Sequence, residues 1–291
     1  MAEYILEIKN LKKYYGKSRG IENVTIKLEK GDIYGFIGPN GAGKSTTIRT
    51  LIGLINKTDG EILLKGEKIN TNDPKTKEII GYLPSEINLY GDMTLKELFN
   101  YHESFYKKDL SKRRKELVKA LKIDENKKVE DLSLGNLKKA GIVLALMHEP
   151  EILILDEPTS GLDPVSREEV LDIFREIVKS GDRAILFSTH ITSDLDKCAS
   201  NITYIHNGQI VFTGKKKDFV NSYLFVKDKT MNKDLEKEYI AYKELDDRIE
   251  GLINVNNKEV FIQNNIKPRE PDLEEIMIYL ERSHNNESFT L

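Results

Sequence analysis

The run Gly38-Pro39-Asn40-Gly41-Ala42-Gly43-Lys44-Ser45 has the most chemically specific spacing in the chain. Its glycines let the backbone wrap until successive N–H groups face one anion, and a helix starting at Lys44 adds its positive end. Lys44 can reach the β- and γ-phosphates of a nucleotide, and the Ser45 hydroxyl can hold Mg²⁺. Gly38 through Thr46 are therefore the expected residues for binding a nucleoside triphosphate. Such a loop needs a carboxylate for the metal at the end of a buried strand. Ile152-Leu153-Ile154-Leu155-Asp156-Glu157 supplies four apolar residues and then two acids. Asp156 is expected to coordinate Mg²⁺ through its water shell, and Glu157 to polarise an attacking water as general base.

Those residues need strands and helices to aim them. Short apolar runs at Ile5–Ile8, Val24–Leu28, Ile33–Ile37, Glu61–Leu64, Ile79–Leu83, Ile152–Leu155 and Ala184–Phe187 read as strands. They alternate with helical patterns such as Lys44–Leu51 and Val165–Lys179, which predicts an α/β domain. Ile202–Ile205 and Gln209–Phe212, joined across Asn207-Gly208, read as a hairpin. Residues 95–150 are helical and highly charged, a helical subdomain inserted in a cassette spanning 1–220. Residues 221–291 read as a small α+β C-terminal module. In it Asp272 is a candidate N-cap, ahead of Leu273, Ile276, Met277 and Leu280 on one helix face.

Bulk composition excludes several classes. A net charge of −3 gives no sign of a polyanion-binding surface, so no nucleic-acid partner is expected. One cysteine, Cys198, rules out an intramolecular disulfide and fits a reducing compartment. The opening Met1-Ala2-Glu3-Tyr4-Ile5 lacks the basic and apolar regions of a signal peptide. No uncharged apolar run approaches the roughly 18 residues that cross a bilayer, so any membrane partner must do the spanning.

Further motifs narrow the class. Leu132-Ser133-Leu134-Gly135-Asn136 precedes Asp156 and opens a helical run. Pro158-Thr159-Ser160-Gly161-Leu162-Asp163 follows Glu157, and Ser188-Thr189-His190 follows a strand. Tyr15 lies ahead of the phosphate loop. In order and spacing these pieces resemble the ABC ATPase family over about residues 4–220, a resemblance that implies a mixed sheet. The resemblance implies that Ser133, Gly135 and Asn136 form a signature facing the ATP of an opposite subunit. It also implies that Asp163 lies in the D-loop, that His190 contacts the γ-phosphate, and that Tyr15 stacks on adenine. The implied partners are a second ATPase subunit, identical or not, and a separately encoded transmembrane permease. The implied place is cytoplasmic, peripheral on the inner face of the plasma membrane.

The pattern departs from the family at two places. Ser85 stands where the family has a glutamine touching Mg²⁺, so its metal contact would run through water or pass to Glu86. The signature carries Leu134 and Asn136 for a Gly and a Gln, yet keeps Ser133 and Gly135. Tyr82-Leu83-Pro84 and the ending Pro271-Asp272-Leu273-Glu274-Glu275-Ile276 resemble exporters of drugs, antimicrobial peptides, lipids or polysaccharides. The alternatives are a soluble relative acting on ribosomes or DNA, and a weakly hydrolysing regulatory subunit. The first would need two such domains, long coiled coils or zinc cysteines; the second is opposed by Glu157 and His190.

Overall fold

The structure is a computed structural model describing residues 4–229, 232–245 and 248–285. The chain opens with two long strands, β1 (Tyr4–Tyr15) and β2 (Ser18–Glu29), paired antiparallel with bulges. Next come β3 (Ile33–Ile37), helix α1 (Lys44–Leu51), β4 (Asp59–Leu64), the short β5 (Glu67–Lys68), α2 (Pro74–Ile79) and β6 (Ile80–Leu83). A helical stretch follows: α3 (Leu95–Glu103), α4 (Ser111–Ala120) and α5 (Leu134–Leu146). Thr94 and Glu97 start α3 with a reciprocal capping box. The chain then runs through β7 (Ile152–Asp156), α6 (Pro164–Lys179), β8 (Ala184–Thr189), α7 (Thr192–Cys198), β9 (Asn201–His206) and β10 (Gln209–Lys215).

Two sheets result. One has the order β2-β1-β4-β5, and the other β10-β9-β3-β8-β7-β6. In the second, β9, β3, β8, β7 and β6 are neighbours in parallel register. Every residue of β3, β7 and β8 is buried, as expected of central parallel strands covered on both faces. Asn207 and Gly208 turn β9 into β10 with φ of 47° and 75°, the geometry of a two-residue hairpin turn. A single apolar core joins both sheets to α1, with Ile5, Ile26, Phe36, Ile48, Leu51 and Leu186 among its members.

Beside this core, Ile52, Tyr82, His102, Tyr106, Leu144 and His148 line a cavity of about 310 Å³. His148 stacks on Tyr106 at 4.9 Å, and burial depresses its pKa to about 4. The unfolded chain protonates this imidazole near pH 6.5, whereas the fold keeps it neutral down to about pH 4. Its contribution is therefore present above pH 6.5 and is lost as pH falls toward 4, at most about 3 kcal/mol. His148→Gln should flatten the stability–pH curve across that window in urea titrations. A slope equal to the parent's would contradict the assignment.

By packing, the described residues up to His190 form one compact unit with Asn201–Thr213, and Ile191–Ser200 forms a second with the described residues from Gly214 onward. The division differs from a cut after residue 220 because α7 is held by later residues. The Lys216 ammonium donates to the Leu195 and Asp196 carbonyls at 3.0 and 2.7 Å. The second unit continues with α8 (Lys216–Asn221), β11 (Tyr223–Asp228), β12 (Tyr239–Leu245), β13 (Arg248–Asn254), α9 (Lys258–Gln263) and α10 (Leu273–Asn285). Its antiparallel sheet has the order β11-β13-β12, over a core of Val226, Leu235, Ile253, Phe261 and Ile266. Asp272 caps α10 by accepting from Glu275 N at 2.7 Å, while Leu273, Ile276 and Leu280 are buried. Among the described residues no helix is long and apolar enough to cross a membrane.

Candidate functional site

The loop between β3 and α1 is built for close backbone approach. At Gly38 a β-carbon would collide with the Ile205 carbonyl; at Gly43 (φ 109°) it would stand 2.7 Å from Ile21 Cγ2. Only glycine fits both demands. Lys44 is 7% exposed, and its Nζ donates to the Gly38 and Pro39 carbonyls at 2.6 and 3.1 Å. Burial pushes this ammonium's pKa down, and the Glu157 and Asp156 carboxylates push it back up. Gly38, Ala42 and Gly43 are buried, Pro39, Ser45 and Thr46 half-buried, and Asn40 and Gly41 exposed at the loop's outer rim.

The acids lie at the tip of β7. Asp156 pairs in register with Ser188 of β8, whose hydroxyl donates to Asp156 Oδ1. The other oxygen, Oδ2, is buried without a protein partner in a residue only 1% exposed. A buried carboxylate oxygen left open in this way fits a hard cation such as Mg²⁺. Glu157 turns the chain out of the strand at φ 53°, with its N–H bonded to the Ser188 carbonyl at 2.9 Å. Its Oε2 accepts from Thr189 Oγ1 at 3.3 Å and from His190 Nδ1 at 2.9 Å. The His190 side chain is 51% exposed, so its ring remains open to a ligand.

Other candidates lie around this centre. Tyr15 is 51% exposed; a β-carbon on Gly20 would lie 2.9 Å from its ring and 3.3 Å from Thr46 Cγ2. Tyr15 is thus brought beside the start of α1. Ser133 caps α5 by accepting from Asn136 N at 3.3 Å, and Gly135 faces Leu162, 3.7 Å from a built β-carbon. Among the described residues, no hydrogen bond joins Ser133, Gly135 or Asn136 to the phosphate loop of the same chain. Asp163 caps α6, accepting from Val165 N and Ser166 N at 3.0 Å each. The half-buried Ser85 meets Lys138, whose Nζ donates to its carbonyl at 2.7 Å.

Sequence reasoning missed Ser188 and Thr189 as partners of the two acids, and gave Lys138, which follows the signature, no role. The available signals were Ser188 and Thr189 immediately before His190, and the pair Lys138-Lys139 inside a largely apolar helix.

A phosphate loop on one strand tip, with an open aspartate and a hydrogen-bonded glutamate on the next but one, defines a P-loop nucleoside triphosphatase. The family model described as ABC transporter matches residues 21–160. The bacitracin transport ATP-binding protein BcrA of Bacillus licheniformis is 36% identical, over 71% of this chain and 68% of its own. The lantibiotic transport ATP-binding protein SrtF of Streptococcus pyogenes is 37% identical, over 71% and 89%. A solved structure described as the ATP binding subunit of an ABC transporter matches with TM-score 0.68 at 31% identity. That match covers 74% of this chain and 91% of the other. The chain belongs to the ABC transporter family, as an ATP-binding and ATP-hydrolysing subunit.

Proposed function

We propose that two such chains close around two ATP molecules and that hydrolysis reopens them, driving a separate permease that exports its cargo. The observation carrying this reading is the cluster at the tips of β7 and β8. There Glu157 is held by Thr189 and His190, next to an aspartate with one open oxygen. Backbone N–H groups of Gly38–Ser45 and the Lys44 ammonium bind the phosphates, while Tyr15 stacks on the base. Ser45 and Asp156 would hold Mg²⁺, which neutralises charge on the phosphates when bound. Ser85 would meet that metal through water, or Glu86 would take its place. Glu157 takes the proton of the attacking water, and His190, oriented by Glu157, contacts the γ-phosphate.

The N-terminus of α5, with its positive dipole end, suits the ATP of an opposite chain, since among the described residues Ser133, Gly135 and Asn136 make no hydrogen bond to their own phosphate loop. An exposed aromatic ladder supports permease docking near Ser85–Tyr90 and the helical insertion. Tyr90, Tyr101 and Phe105 are 60%, 46% and 67% exposed, yet stack edge to face at 6.1 and 5.0 Å. The family resemblance puts such a docked chain on the cytoplasmic face of the membrane. The bacitracin and lantibiotic relatives favour antimicrobial-type cargo, and the unit built on β11–β13 serves as a small accessory module.

The test is ATP hydrolysis by the purified chain across a range of protein concentrations, read with ATP-dependent dimerisation. Specific activity should rise with concentration as the dimer forms. Constant specific activity from a species that stays monomeric would exclude the paired mechanism.

A further inference from the structure

The helix that presents Ser133, Gly135 and Asn136 at its N-terminus also packs along β6 and the loop leaving it. Residues 138, 141 and 145 lie on one face of α5 and meet that segment in order. A β-carbon on Gly81 would collide with the Ala145 carbonyl. On Gly141 it would stand 2.7 Å from both Leu83 Cδ1 and Ile87 Cδ1. Lys138 Nζ then donates to the Ser85 carbonyl at 2.7 Å. With glycine on each side of the contact, helix and strand pack with no room for a side chain between them.

Lys138 closes this seam at its catalytic end. Leu83 pairs with Leu155 in register, so the chain reaches Ser85 just past the strand neighbouring Asp156. The Lys138 residue is 3% exposed, an expensive place for an ammonium unless something there needs it. Burial pushes its pKa down, and the Glu157 and Asp156 charges push it back up, as a cation close to both would feel.

We propose that Lys138 is a positioning residue that clamps the signature-bearing helix to the Ser85 loop. The placement of α5 thereby sets the geometry around Asp156 and Glu157 in the same chain. The inference rests on the hydrolytic reading of Glu157. A neutral side chain of similar length leaves the Ser85 carbonyl without its donor. The Gly141 and Ala145 contacts still hold the helix, so the fold persists while the catalytic end of the seam loosens.

The test measures kcat and KM for ATP, with the melting temperature, for the full chain and for Lys138→Met and Lys138→Arg. Small misplacements of catalytic groups cost up to about a hundredfold, so kcat of the Met variant should fall by about ten- to a hundredfold. Its KM and melting temperature should stay near the parent's, and the Arg variant should recover most of the rate. An unchanged kcat in Lys138→Met overturns the proposal. So does a joint loss of kcat, ATP affinity and melting temperature in both variants, which would mark Lys138 as packing alone. Absence of turnover in the parent chain overturns the hydrolytic reading and this inference with it, and that failure is visible without any variant.

Discussion

Glu157→Gln is expected to lower ATP turnover by about 10²–10⁴-fold, the usual contribution of a positioned general base. The substitution keeps side-chain length and leaves an oxygen to accept from Thr189 Oγ1 and His190 Nδ1, which now bond Oε2 at 3.3 and 2.9 Å. What it removes is the ability to take a proton from water. ATP affinity should persist, because the phosphate loop and Lys44 are untouched, and the ATP-bound dimer should accumulate on gel filtration. Turnover within twofold of the parent would remove Glu157 from the role of base.

Lys44→Ala should act one step earlier, on binding. The ammonium is buried in the loop, within hydrogen-bond reach of the Gly38 and Pro39 carbonyls, and carries the loop's one side-chain positive charge. Hydrogen bonds to charged groups contribute roughly 1.5–3 kcal/mol each, so ATP affinity should fall by at least about tenfold. Equilibrium binding of a fluorescent ATP analogue measures this directly. A dissociation constant matching the parent's would contradict the phosphate assignment. The two variants separate the two halves of the site, since Glu157→Gln should bind without turning over and Lys44→Ala should fail to bind.

Much of the first unit was readable from one dimension. Buried parallel strands are continuous apolar runs, so β3, β7 and β8 announce themselves, and the glycines between β3 and α1 mark where a backbone must bend around an anion. The second unit was harder. β12 falls in a stretch that reads as polar, and every one of its residues is only half-buried, so its pattern is weak. β11 does carry a short apolar run, Tyr223-Leu224-Phe225-Val226, inside that polar stretch. The apolar run Val260–Ile262 belongs to the helix α9, with Val260 and Ile262 exposed and only Phe261 turned into the core. A three-residue run carries no period, so its helical state is decided by what Phe261 packs against.

The sequence by itself determined the phosphate loop, the acid pair, the capped start of α5 and the family, because each is a local pattern within a few residues. Only the tertiary structure decided which groups serve those residues. Ser188 and Thr189 reach Asp156 and Glu157, each 32 positions earlier in the sequence, because β7 and β8 run parallel in one register. Lys138 meets Ser85 across 53 residues, because glycines at 81 and 141 let a helix settle onto a strand. Such contacts depend on the closeness of two backbones, a property that no single segment encodes.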